Sequence, residues 1–133
     1  MKRIALLLCN LTLLLALAPN ARAEKPDSLL VHNGQRLFLS GMNLAWINWA
    51  RDLIDFDEET FTQQMDDLAA AGGNTVRWWI HTNGRHSPNF SSEGVVTGIN
   101  PIELANFERA LDIAYERGIL VMPCLWSFDM MQD

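Results

Sequence analysis

Asn74-Thr75-Val76-Arg77-Trp78-Trp79-Ile80-His81 decides how this chain folds. In a strand, successive side chains point to opposite faces. Thr75, Arg77, Trp79 and His81 therefore share one face, and Val76, Trp78 and Ile80 share the other. The second set is apolar enough to meet helices. The first carries an arginine and a histidine, which a closed parallel barrel would turn toward its centre and upper rim. Gly72-Gly73 stands immediately before the strand as a helix stop, and the polar stretch Thr82 to Ile99 follows it with no periodicity.

Working toward the amino terminus, Asp57 is an N-cap with Glu58 and Glu59 in the first turn, where the helix dipole favours negative charge. Phe61, Met65, Leu68 and Ala69 fall on one face of the helix that follows. A polar and aromatic loop, Leu44 to Phe56, separates this helix from a first core strand of roughly Phe38 to Asn43. Upstream, Leu29 to His32 and Arg36 to Ser40 flank Asn33-Gly34, a tight-hairpin signal because both turn residues need positive φ. The second hairpin arm is expected to run on into the core strand.

Toward the carboxyl terminus, Asn100-Pro101-Ile102-Glu103 is a helix start with Asn as cap, Pro in the first position and Glu in the third. Leu104, Phe107, Leu111 and Ala114 form the expected buried stripe, and Gly118 stops the helix. Ile119 to Leu125 is a near-continuous apolar strand, as befits one covered on both faces. The resulting strand-helix-strand-helix-strand order specifies parallel strands, with ligands expected at their carboxyl ends. The strands begin about 37 and then about 45 residues apart, and eight such repeats make roughly 300 residues, the size of a (β/α)8 barrel. The α/β fold expected is thus a TIM barrel of which the first two and a half βα units are present. An open three-stranded sheet would leave apolar surface bare, so the chain is expected to be a fragment of a larger reading frame.

Composition narrows the partners. Lys2 and Arg3, the apolar stretch Ile4 to Ala18, and Ala21-Arg22-Ala23 have the organisation of an export signal, so residues 1–23 are expected to be removed and residues 24–133 to be the start of one domain. The apolar run is about 15 residues, short of the roughly 20 that span a bilayer. Loss of Lys2, Arg3 and Arg22 would leave seven basic residues against sixteen acidic ones, a formal charge of −9. Such a surface repels nucleic acid and anionic lipid, and neutral substrates remain. A secreted protein, extracellular or periplasmic, follows, with no membrane association after cleavage. Of Cys9 and Cys124 only Cys124 would survive, which excludes an internal disulfide in this stretch. No His, Cys or carboxylate set has metal-ligand spacing, and no glycine pattern suits a phosphate loop, so neither metal nor cofactor is expected.

Arg77 is the sharpest candidate for chemistry, since a mid-strand arginine facing a barrel interior is costly unless a carboxylate pairs with it. The plain alternative is a salt bridge tying strands together. His81 ends the same face and could hydrogen-bond a hydroxyl or orient a carboxylate; His86 and His32 lack that register. Trp46, Trp49, Trp79 and Trp126 lie near strand ends, while Trp78 should face the helices as core. Indole stacks on the flat C–H faces of pyranose rings, and Asn, Arg and His bond their hydroxyls, so the mixture fits a carbohydrate. Asn43, at the end of the first strand, and Asp129, after the third, are polar where strand tips should meet substrate, although Asp129 could instead cap a following helix. Cys124 reads as a buried small hydrophobe, with no basic neighbour on its own strand.

Leu39-Ser40-Gly41-Met42-Asn43, Gly73-Asn74-Thr75-Val76-Arg77-Trp78-Trp79 and Ala110 to Ile119 together resemble the amino-terminal part of the clan A glycoside hydrolases, nearest in appearance to the cellulase and mannanase-like family 5. The resemblance implies a (β/α)8 barrel that hydrolyses a β-linked polysaccharide, a β-mannan or β-glucan, with retention. Arg77 matches the family arginine that supports the nucleophile. The acid/base glutamate at the fourth strand and the nucleophilic glutamate at the seventh would both lie beyond Asp133; Glu93 and Glu103, in a loop and at a helix start, do not replace them. Where many relatives carry a histidine at the end of the third strand, this chain has Trp126-Ser127. Asn43, Trp46, Trp79, His81, Trp126 and Asp129 are the expected substrate contacts, and the complete protein is expected to be a monomer. A carbohydrate-binding barrel without its carboxylates, or a small secreted α/β interaction domain, are the competing readings.

Overall fold

Asn33 (φ 49°) and Gly34 (φ 75°) take the two left-handed positions that the tight turn demands. They join β1 (Leu30–His32) to β2 (Gln35–Leu37), antiparallel with Leu30 opposite Leu37. The computed structural model describes residues 30–127; the export signal and Asp129 lie outside them. This hairpin belongs to one unit, Met1–Leu37, and everything that follows belongs to a second, Phe38–Asp133. The expected continuation of the hairpin into the core strand is corrected. β2 stops at Leu37, and β3 (Gly41–Leu44) is a separate strand.

The second unit is built on a three-stranded parallel sheet in the order β3, β4 (Thr75–Trp79), β7 (Leu120–Cys124). Register places Asn43 beside Arg77 and Trp79 beside Cys124. Helix α1 (Glu58–Ala70) crosses from β3 to β4, and α2 (Pro101–Glu116) from β4 to β7. The Asn74 side chain fixes the entry to β4, its Oδ1 accepting from Ser40 N at 2.9 Å and its Nδ2 donating to Phe38 O at 2.8 Å. Gly41 allows β3 to lie against β4: a Cβ there would sit 1.6 Å from the Thr75 carbonyl oxygen.

Both helix starts form as their sequences dictate. Asp57 accepts from Thr60 N, and Asn100 and Glu103 complete a capping box behind Pro101. In α1, Phe61, Met65 and Leu68 are buried as expected. The stripe expected on α2 is corrected by about one residue. Glu103, Ala110, Ile113 and Ala114 are buried, while Leu104 and Leu111 are 44% and 38% exposed. Small Ala110 and Ala114 let the helix approach closely, and Phe107 stacks on Trp78 with ring centroids 6.1 Å apart. Trp78 is fully buried among Phe61, Phe56 and Phe107, the centre of a core that fills one face of the sheet.

The polar stretch Thr82 to Ile99, which shows no periodicity, contains a short antiparallel pair, β5 (Asn89–Phe90) and β6 (Val96–Gly98), joined through a turn at Gly94 (φ 77°). Its two- and three-residue strands are too short to leave an alternation in the sequence. Of the described strands, β3, β4 and β7 form an open parallel sheet, and no closed barrel is formed among the described residues. Among the described residues no helix is long and apolar enough to cross a membrane.

Candidate active site

The face of the sheet opposite the core is set by strand alternation. On β4, Val76 and Trp78 are fully buried, while Arg77 between them is exposed on the other side. From the neighbouring strand, the Asn43 side chain meets two β4 residues at once. Its Oδ1 accepts from Arg77 Nη1 at 2.9 Å and from Trp79 Nε1 at 3.2 Å. The guanidinium also lies over the Trp79 ring, 5.0 Å from its centroid, so charge and indole are held as one unit.

Arg77 Nη2 reaches Cys124 Sγ on β7 at 3.2 Å. The reading of Cys124 as a buried hydrophobe without a basic neighbour is therefore corrected. Its own strand has none, but the adjacent strand brings one, and the thiol is only half-buried on the open face. The carboxylate partner expected for Arg77 is absent among the described residues, where an amide oxygen, a thiol and a ring hold the guanidinium.

Aromatic side chains border this group. Trp46 stands edge-on to Trp79 at 5.5 Å and tilted to Trp49 at 6.0 Å, with Trp49 half exposed. On the β7 side, the His81 ring lies 5.1 Å from Trp126, itself 42% exposed. Asn43, Trp46, Arg77 and Trp79 are thus brought together, and His81 and Trp126 form a second pair at the strand ends. Asp129 lies outside the described residues. Burial holds the His81 imidazole below its ordinary pKa, which favours the neutral ring.

Three residues that the sequence did not single out, Asp52, Thr82 and Ser87, together with Glu103, which was read only as a helix-start residue, organise the loops beneath these rings. Asp52, 3% exposed, accepts from Ile47 N (3.1 Å), Asn48 N (2.6 Å) and Trp78 Nε1 (3.0 Å), pinning the loop that carries Trp46 and Trp49 to the core. Thr82 is buried at φ 51°, a left-handed conformation costly for a β-branched residue. Its Oγ1 accepts from Trp46 Nε1 at 2.8 Å, and its carbonyl accepts from Ser127 Oγ at 2.6 Å. Ser87 and Glu103, both buried, are linked to His81 through hydrogen bonds. One signal for Asp52 was available: an aspartate among polar loop residues commonly accepts from nearby backbone amides. Nothing local distinguishes Ser87 or Thr82.

A face with flat indole surfaces, a tethered guanidinium and a neutral imidazole suits a polyhydroxylated ring compound, and the known proteins that this chain is similar to are mannan-cleaving glycosidases. The homologues of this chain are mannan endo-1,4-β-mannosidases, enzymes of glycoside hydrolase family 5. The chain is 35% identical over 117 residues to the mannan endo-1,4-β-mannosidase of Mytilus edulis, covering 85% of this chain and 32% of that protein. It is 39% identical over 102 residues to the enzyme of the same name from Cryptopygus antarcticus, covering 72% of this chain and 27% of that protein. The chain therefore spans about a third or less of the curated relatives it matches. Among solved structures, the β-mannanase of the blue mussel Mytilus edulis superposes with a TM-score of 0.69 at 37% identity, over 74% of this chain and 29% of that one. The β-1,4-mannanase of the sea hare Aplysia kurodai gives 0.67 at 40% identity, over 72% and 29%. No protein-family model matches the chain.

Proposed function

We propose that this chain is part of an exported β-mannanase that cleaves β-1,4-linked mannan with retention of configuration, in a closed (β/α)8 barrel. The observation that carries the reading is the Asn43, Arg77 and Trp79 group, bordered by Trp46 and Trp49, in a chain whose homologues are mannanases. Retaining hydrolysis uses two carboxyl groups about 5 to 5.5 Å apart, one as nucleophile and one as acid/base. On the family resemblance, both glutamates would lie beyond Asp133. Arg77 would then supply the positive charge that keeps the nucleophile ionised, and its attachment to Asn43 and Trp79 would hold that charge in place before substrate arrives.

Trp46 and Trp126 would offer stacking surfaces for mannosyl rings, and His81 and Asn43 would supply hydrogen bonds to their hydroxyls. An acidic composition, with a formal net charge of −6, fits a neutral polymer. The test is to produce the full-length protein and measure release of oligosaccharides from β-mannan and from β-glucan, with Arg77→Ala beside it. Activity on mannan that falls by about a thousandfold in the variant at near-unchanged thermal stability is expected, the scale of losing a fixed electrostatic group from an active site. Full activity without Arg77 would remove its assigned role. Inactivity of the wild type on both polymers would remove the hydrolase reading.

A further inference from the structure

Glu103 is the largest buried acidic side chain among the described residues, 1% exposed, and helix capping alone does not require that depth. Its Oε2 accepts from Asn100 N at 3.3 Å, closing the capping box, and from Ser87 Oγ at 3.2 Å. Ser87, 3% exposed, also lies 3.0 Å from His81 Nδ1. A carboxylate oxygen accepts and does not donate, so the single Ser87 proton is directed toward Glu103. Ser87 then presents only lone pairs to the imidazole, and the proton between them must sit on His81 Nδ1.

We infer that Glu103 is a positioning residue that, through Ser87, fixes His81 in its Nδ1–H form and leaves Nε2 unprotonated as an acceptor at the strand ends. Among the described residues Nε2 has no hydrogen-bond partner, while Trp126 flanks the ring and the His81 backbone N–H donates to Leu125 O at 3.3 Å. Ring position and proton position are thus both set. A neutral Nε2 would accept a hydrogen bond from a hydroxyl donor, and on the mannanase reading, upon which this step rests, that donor is a sugar hydroxyl. Glu103 acts through Ser87 and touches no substrate.

The closing experiment is nitrogen NMR of the imidazole signals of the full-length protein, with His81 assigned by its loss in His81→Gln, at a pH where the ring is neutral. The expected wild-type spectrum has the far-downfield, unprotonated resonance on Nε2. Ser87→Ala moves that resonance toward Nδ1, and Glu103→Gln moves it the same way to a smaller extent, because Gln retains an acceptor but not the charge. On mannan, Ser87→Ala raises KM about fivefold, the loss of one hydrogen bond, with kcat little changed. A wild-type ring protonated on Nε2 overturns the inference without any variant, and so does a Ser87→Ala spectrum identical to wild type. An Nδ1–H ring in a protein inactive on mannan would strike the substrate reading and leave the relay standing.

Discussion

Replacing Asp52 by alanine removes the acceptor on which three partly or fully buried donors converge. Trp78 Nε1 is the costliest to abandon, because Trp78 is 0% exposed and water cannot reach its indole nitrogen. Ile47 is half-buried and Asn48 is exposed, so their amides can recover part of their loss from solvent. Hydrogen bonds to a charged group are worth about 1.5 to 3 kcal/mol each, and a stranded buried donor costs about 1 to 3 kcal/mol. With one donor fully stranded and two partly so, Asp52→Ala should destabilise the full-length protein by about 3 to 5 kcal/mol. Trp78→Phe serves as the control, because it deletes the indole donor and leaves Asp52 its two backbone partners; it should cost about 1 to 2 kcal/mol. Urea unfolding followed by tryptophan fluorescence reads both, with the slope m required to stay constant so that the midpoint reports stability. A loss below about 1 kcal/mol for Asp52→Ala would refute the account, since it would mean that the loop finds equivalent acceptors when the carboxylate is gone.

Gly41→Ala should destabilise far more than Gly73→Ala in thermal melts. The first places a Cβ against the Thr75 backbone, the second mainly against the movable Leu68 side chain. Thr82→Val keeps the shape of the residue and loses the acceptor of the Trp46 indole, so it should cost about 1 kcal/mol in stability and raise KM for mannan, measured by denaturation and initial rates. Asp57 supplies a pH test. Hydrogen bonds from the Thr60 amide and then the Thr60 hydroxyl hold its carboxyl below the ordinary range, so its contribution is complete above the unfolded pKa and is lost as pH falls through the lower folded value. Asn caps equally well and does not titrate. Asp57→Asn should therefore match wild type near neutrality and become relatively more stable at about pH 3, read as the difference in melting temperature.

Where a signal is local and stereochemical, it was legible in the sequence. Asn33-Gly34, Asp57, and Asn100-Pro101 with Glu103 each satisfy a backbone requirement that neighbours in sequence create, and each formed as read. The alternation of β4 likewise sorted Arg77 from Trp78, because one face is covered and a slip of one residue would bury the guanidinium. The stripe of α2 was misread because apolar residues occupy more than one of its faces; which face turned inward was settled by the close approach that Ala110 and Ala114 permit and by the stacking of Phe107 on Trp78. The partnership of Arg77 with Cys124 and the convergence on Asp52 join residues 47 and 26 positions apart. No local pattern encodes such pairings; they follow from register between strands and from loop closure over the core.

Glu103 holds the first turn of α2 with one carboxylate oxygen, and that same oxygen meets Ser87. Fraying at the start of this helix and disorder around His81 are consequently one event rather than two. A substitution at Asn100, remote in sequence from the carboxyl ends of the three parallel strands, would weaken the helix end and loosen the imidazole together. In amide hydrogen exchange the protection of Ile102 and Leu104 should rise when a hydroxyl ligand occupies His81 Nε2, so that a capping motif reports on the state of the imidazole.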